Sequence, residues 1–155
     1  RYSLQCYGDQ CGRTRDDSDM NSTEQPGFAE SWERSKPHLV TALKKSGDEY
    51  DVDELLAMIE DGRAIFYPIK NGAAVFRVSV YPRKRRLRLW LIGGEVGEDF
   101  GLFHSLGVVM EAAESLAKKY GCDGIECTGR KVYERVLKPY GYNNQAVVLT
   151  KELGG

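Results

Sequence analysis

Arg86-Leu87-Arg88-Leu89-Trp90-Leu91-Ile92-Gly93-Gly94 is the stretch on which the fold turns. Leu87, Leu89 and Leu91 alternate with Arg86, Arg88 and Trp90, so residues 86–92 read as a strand with one apolar and one polar face. Gly93-Gly94 ends it, and Pro82-Arg83-Lys84-Arg85 turns the chain into it. Upstream, residues 73–81 read as a second strand. Asn71-Gly72, a strong hairpin signal, joins that strand to residues 64–69. Three strands joined by tight turns predict an antiparallel meander.

Downstream, the period changes from two to 3.6. Phe103, Leu106, Met110, Ala113, Ala117 and Tyr120 share one face of a long helix, which Gly121 stops. Residues 123–128 follow as a short strand and 131–138 as a short helix, halted by Pro139 and Gly141. Residues 145–151, with Val147, Val148 and Leu149, read as the last strand. A strand-helix-strand step needs a crossover and implies a parallel pair.

Two helices precede the meander. Phe28, Trp32, Leu39, Val40 and Leu43 lie on one apolar face, with Pro37 either kinking one helix or opening a fresh one. Asp51-Val52-Asp53-Glu54 resembles a capping box, with Leu55, Leu56 and Ile59 behind it and Gly62 as the stop. The expected class is α/β (α+β): a mixed sheet with an antiparallel meander, a central parallel pair and flanking helices.

The chain of 155 residues suits one domain, read as residues 28–155. Residues 1–27 are polar, with no apolar period, and are expected to be disordered. Residues 1–19 read as a tail or upstream segment, because Met20 is a plausible start. A net charge of −1 gives no global pull toward nucleic acid or membrane. No apolar run approaches membrane-spanning length, and no signal peptide is visible, so the expected location is cytoplasmic. Cys6/Cys11 and Cys122/Cys127 are each separated by four residues, a poor zinc spacing, and read as reduced thiols with no metal.

The element order is similar to that of the GNAT (N-acetyltransferase) superfamily. The segments that carry the resemblance are residues 87–94, the helix at 103–120, Asp123-Gly-Ile-Glu-Cys-Thr128, and Val132-Tyr-Glu-Arg-Val-Leu-Lys-Pro-Tyr-Gly-Tyr142. Gly129-Arg130, Arg135-Val136-Leu137 and Gly141-Tyr142 are similar to the C-terminal pattern of small GNAT-like proteins of tailed phages and prophages. The resemblance covers residues 35–153. It implies acetyl-CoA as cofactor and an amine as acceptor, with transfer of an acyl group to nitrogen. A catalytically inactive phage protein, serving as a virion or assembly component or as a host-directed binder, is the alternative. The location is then the host bacterial cytoplasm or the virion.

In that family a splayed strand binds the pantetheine arm, and a loop at the start of the long helix cradles the pyrophosphate. The resemblance assigns these roles to Leu91, Ile92, Gly93, Gly94, Val96, Gly97 and Gly101. The physical basis is exposed N–H groups at a helix N-terminus facing anionic oxygens. The loop departs from the family pattern: it lacks the Arg or Gln and carries Glu95, Glu98 and Asp99, which would repel a pyrophosphate. The family's tyrosine, four residues before the Gly of the closing pair, is here Leu137. Tyr133 and Tyr140 are the candidate replacements as acid, and His104 is a candidate base or phosphate contact. For each, packing, a turn or a cap is the competing reading.

Arg83-Lys84-Arg85-Arg86 with Arg88 is the densest cationic cluster. It reads either as a phosphate contact or as a solvated hairpin tip that discourages edge pairing. With only Tyr81 and Trp90 interleaved, nucleic acid is not an expected partner. A phage or host protein and a homodimer remain as partner readings.

Overall fold

The computed structural model describes residues 27–47, 49–69, 72–94, 99–128 and 132–154, with only the backbone for 99–105, 132 and 133. Its elements are α1 (Phe28–Lys45), α2 (Val52–Glu60), β1 (Ile65–Ile69), β2 (Gly72–Val80), β3 (Arg85–Gly94), α3 (Asp99–Lys119), β4 (Gly124–Cys127) and α4 (Val132–Leu137). A 3-10 turn, Lys138–Tyr140, follows. The sheet order is β1-β2-β3-β4. β1, β2 and β3 are antiparallel, and β3 and β4 are parallel.

Local signals account for most of these elements. At α2, Asp51 accepts from the Glu54 N–H and Glu54 accepts from the Asp51 N–H, both at 2.8 Å, which completes the capping box. The pairing Ile69↔Gly72 leaves two residues for the β1–β2 connection, the length that Asn71-Gly72 implies, although residues 70 and 71 lie outside the described set. Pro68 sits in β1, an edge strand, where a missing N–H is tolerated. Pro37 lies within α1, which continues through it as one helix.

The sheet is covered on both faces. On one, Ile65, Ala74, Phe76, Val78, Leu87 and Leu89 pack against Leu106, Val109, Met110, Ala113, Leu116 and Ala117 of α3 and Leu137 of α4. On the other, Phe66, Ala73, Val75 and Leu91 meet Trp32, Leu39 and Leu43 of α1 and Leu55, Met58 and Ile59 of α2. Each fully buried large apolar side chain contributes about 1.5–3 kcal/mol, so these two layers hold the sheet between the helices. Trp32 and Phe66 meet edge to face at 5.6 Å beneath α1.

Two sequence expectations fail. First, β3 does not alternate to its end. Val75 pairs with Leu91 but Phe76 pairs with Leu89, so Trp90 is an extra residue without a β2 partner. This β-bulge reverses the faces beyond it. Leu91 joins the α1/α2 core instead of the core holding Leu87 and Leu89, and Ile92 takes the α3 side. Second, residues 145–151 form no strand. Val147, Val148 and Leu149 are 73%, 72% and 88% exposed. β-propensity expresses itself only against a neighbouring strand, and no described strand pairs with this run. The segment is tied at its start by the Asn144 amide, which donates to the Glu134 carboxylate.

At Gly93, α1 lies close against the sheet. A Cβ there would lie 2.6 Å from the His38 carbonyl oxygen, a backbone atom. A Cβ at Gly107 of α3 would meet only the Tyr140 hydroxyl, at 3.8 Å. Gly93→Ala is therefore expected to destabilise the fold by about 1–3 kcal/mol through overpacking. Gly107→Ala is expected to be neutral or to stabilise by up to ~1 kcal/mol, as helix propensity favours alanine. Urea unfolding of the two variants checks the contrast.

A candidate cleft at the parting of two strands

β4 pairs with β3 only over Arg86↔Gly124, Leu87↔Ile125, Arg88↔Glu126 and Leu89↔Cys127. β3 runs on to Gly94, held by β2 alone. The main-chain groups of Trp90–Gly94 that face away from β2 therefore have no strand partner among the described residues. Bulge and parting coincide: Trp90, the extra residue, follows Leu89, the last residue paired to β4. A parting of this kind offers N–H and C=O groups to an extended ligand, as an open sheet edge does to a strand.

The residues expected at a cofactor site fall around this parting in different ways. Leu91 and Ile92 lie on its β3 wall, with side chains buried and half-buried and turned to opposite cores. Gly93 pairs with Ala73 and lies against α1 at His38, and Gly94 pairs with Gly72. Gly101 is in the first turn of α3. Val96, Gly97, Glu95 and Glu98 lie outside the described residues. Residues 95–98 are all that separates the end of β3 at Gly94 from the start of α3 at Asp99, so the helix N-terminus follows closely on the strand.

The expected catalytic residues are placed less completely. His104 lies in the second turn of α3 and Tyr133 in the first turn of α4; the described structure gives the backbone of both. Tyr140 is 44% exposed in the 3-10 turn, with its hydroxyl over α3 at Gly107. Leu137, at the position where the resemblance would place a tyrosine, is buried in the α3-side core.

Sequence reasoning did not single out Cys127 and Tyr142 as a pair. Cys127 is the last paired residue of β4, at the mouth of the parting. Burial is the main cause that pushes its thiol up to about 11, although Arg88 pulls the other way. Tyr142 is pushed up to about 12, first by burial and then by Cys127 and Glu114. Both groups are therefore protonated at neutral pH and can donate hydrogen bonds. The signal that could have found them was the closing Gly141-Tyr142 pair together with the half-apolar strand Gly124–Cys127.

On the opposite, α1/α2 face, a polar row borders the apolar core. Arg77, Arg88 and Glu126 form one cross-strand row over β2, β3 and β4. Arg88 Nε lies 3.2 Å from Glu126 Oε2, an ion pair. Its alignment misses a hydrogen bond, so that buried N–H has no hydrogen-bond partner among the described residues. The Tyr81 hydroxyl donates to the same Glu126 oxygen at 2.8 Å. By contrast, Arg85 of the basic turn is used structurally: its N–H donates to Asp123 at 2.9 Å and its Nε to the Tyr120 carbonyl at 2.7 Å. That carbonyl lies just past the end of α3, where a cation is favourable.

No family model and no curated protein sequence matches the chain. Solved structures do. A mutant of the BH1408 protein from Bacillus halodurans superposes with a TM-score of 0.54 at 14% identity, covering 80% of this chain and 94% of that one. A mutant of TTHA1254 from Thermus thermophilus gives 0.51 at 16%, covering 81% and 92%. A protein described as a probable acetyltransferase gives 0.51 at 14%, covering 73% and 88%. The chain shares their fold. Likeness at this level of identity establishes architecture and leaves activity to the site. Among the described residues, no helix is long and apolar enough to cross a membrane, and no group of three or more His, Cys, Asp or Glu is placed to hold a metal.

The raised thiol at Cys127 has a direct consequence. At pH 8 a thiol with a pKa near 11 is thiolate to roughly one part in a thousand, against about a quarter for a free cysteine. Iodoacetamide labelling of Cys127, followed by mass spectrometry, is expected to be about a hundredfold slower than labelling of glutathione at pH 8, and to accelerate steeply above about pH 10.

Proposed function

We propose that the protein is an acyl-CoA-dependent N-acyltransferase with a GNAT-type cleft, transferring acetyl from acetyl-CoA to an amine. The observation that carries this reading is the bulge at Trp90 together with the loss of the β4 partner beyond Leu89. That combination leaves a β3 edge along which the amides of a pantetheine arm can pair as a strand would. Leu91, Ile92, Gly93 and Gly94 supply this edge through their main chain. The start of α3, with Gly101, is the proposed helix N-terminus for the pyrophosphate. The probable acetyltransferase among the solved structures of the same fold supports the reading.

The reaction asks for little covalent help. The neutral amine nitrogen attacks the thioester carbonyl carbon, and a tetrahedral oxyanion forms. The C–S bond then breaks, the thiolate leaves and takes a proton, and the amide nitrogen loses one. Placement of the two substrates and stabilisation of the oxyanion are the main sources of rate. Tyr140, exposed and lying over α3, is the proposed donor to the leaving thiolate, because Leu137 is buried in the core. Tyr133 and His104 are the further candidates along the same helices.

A second reading, a non-catalytic phage protein on the same fold, draws on two features. One is the carboxylates Glu95, Glu98 and Asp99 beside the proposed pyrophosphate position. The other is the buried Leu137 in place of an acid.

Calorimetric titration with acetyl-CoA separates the two. A Kd below about 1 mM is expected, and absence of heat at high-micromolar protein would overturn the transferase reading in favour of the second. With turnover established, Tyr140→Phe is expected to lower kcat about a hundredfold with the KM for acetyl-CoA little changed, as loss of a general acid does. A thiol-release assay reads it.

A further inference from the structure

The α1/α2 face of the sheet carries, at the edge of its apolar core, a polar cluster that the cleft chemistry does not use. At its centre is Arg77, a half-buried arginine in the middle of β2. Its guanidinium carbon lies 4.8 Å from the centre of the Trp90 ring. The Tyr50 phenol, from the α1–α2 connection, favours the charged form of this guanidinium against the cost of burial. Tyr50 itself meets Trp90 edge to face at 5.1 Å. Two aromatic side chains therefore hold the guanidinium in place, and among the described residues no carboxylate pairs with it.

Its surroundings are cationic. Arg88, its cross-strand partner, and Arg63 both act on it electrostatically. The carboxylates nearby are already engaged: Glu126 with Arg88 and Tyr81, and Asp61 with Arg63 at 2.8 Å. Arg63 and Arg88 thus each have a carboxylate, and Arg77 is in neither ion pair. Desolvating a charge without pairing it is costly. A fold that does so, and braces the charge on a tryptophan and a tyrosine, presents a pre-oriented planar fork suited to an oxyanion. The row Arg77-Arg88-Glu126 is one residue step, about 3.3 Å along a strand, from Leu89↔Cys127, where β3 and β4 part. An anion held there lies beside the cleft mouth on the face opposite Cys127.

We propose that Arg77, with Arg88 beside it and Trp90 and Tyr50 behind it, binds the anionic group of the acyl acceptor, so that the acceptor is an amine that also carries a carboxylate or a phosphate. The acceptor role rests on the acyltransferase reading; the anion site does not. Arg77 is a positioning residue: it holds the far end of the acceptor while the amine reaches the thioester.

Matched amines test this on the full chain with acetyl-CoA present. L-Phenylalanine is compared with phenethylamine, and phosphoethanolamine with ethanolamine, by calorimetry and by thiol release. The anionic member of at least one pair is expected to bind ten or more times tighter, and the pair that shows the effect identifies carboxylate or phosphate. Arg77→Gln is expected to erase the preference, raising KM for that acceptor at least tenfold while kcat changes less than threefold, and Arg77→Lys to restore part of it. Should Arg77→Gln fail to fold, the native chain still decides: raising NaCl from about 50 to 500 mM should weaken the anionic ligand and spare the neutral one, as screening requires.

Equal affinity within both pairs, or a preference that survives Arg77→Gln or the added salt, overturns the proposal. Anion preference without acetyl-CoA binding would remove the acyltransferase reading and the acceptor role while leaving the anion site. Turnover of neutral amines without preference would do the reverse.

Discussion

A single inserted residue in the central strand organises this molecule. Trp90 has no partner on β2, so the faces of β3 exchange at that point. Before it, Leu87 and Leu89 serve the core beneath α3; after it, Leu91 serves the core beneath α1 and α2. A regular strand would place all three leucines on one side. Ile92 rather than Leu91 would then turn toward α1 and α2. A bulge also bends and twists its strand. That is the local cause we see for β3 leaving β4 after Leu89 and running on to Gly94 alone.

The approach of α1 is the second constraint. The helix comes so near the end of β3 that only a hydrogen fits on the Gly93 α-carbon under the His38 carbonyl. Ser35, buried in the same helix, lies 3.5 Å from the Gly72 carbonyl oxygen on the neighbouring strand. Small residues at this crossing let backbone meet backbone, and the larger side chains Trp32, Leu39 and Leu43 seal the layer around it. Gly93 therefore has a packing reason for being glycine, beside any role of its main chain in binding. The two are compatible, since the α-carbon faces the helix while the amide plane lies in the sheet.

The two faces of the parted strands differ in chemistry. On the α3 side are a thiol and a phenol that burial keeps protonated, Cys127 and Tyr142. On the other side are Arg77, Arg88 and Glu126 with their aromatic support. Arg88 belongs to both sides of this division: it pairs with Glu126 and also lowers the Cys127 thiol against the effect of burial.

By itself the sequence determined the order and type of the elements through β4 and α4, including the capping box at α2, the meander and the parallel β3/β4 pair. Those features rest on short-range causes: a period of two or 3.6, a cap three residues from its partner, a glycine after a helix. The end of β3 at Gly93-Gly94 and the helix that follows it were legible as local signals too. Tertiary structure alone decided the rest. The bulge is a mismatch between two strands, and nothing within 86–92 reveals it; alternation predicted Leu91 on the wrong face for that reason. The run at 145–151 has a strand's composition, but pairing needs a partner edge, and Val147, Val148 and Leu149 stand exposed without one. Arg77 lies within the strand read at 73–81, and no local signal marks it. Only the folding of Trp90, Tyr50 and Arg88 around it, from segments 11 to 27 positions away in the chain, made it a half-buried charge with no carboxylate paired to it among the described residues.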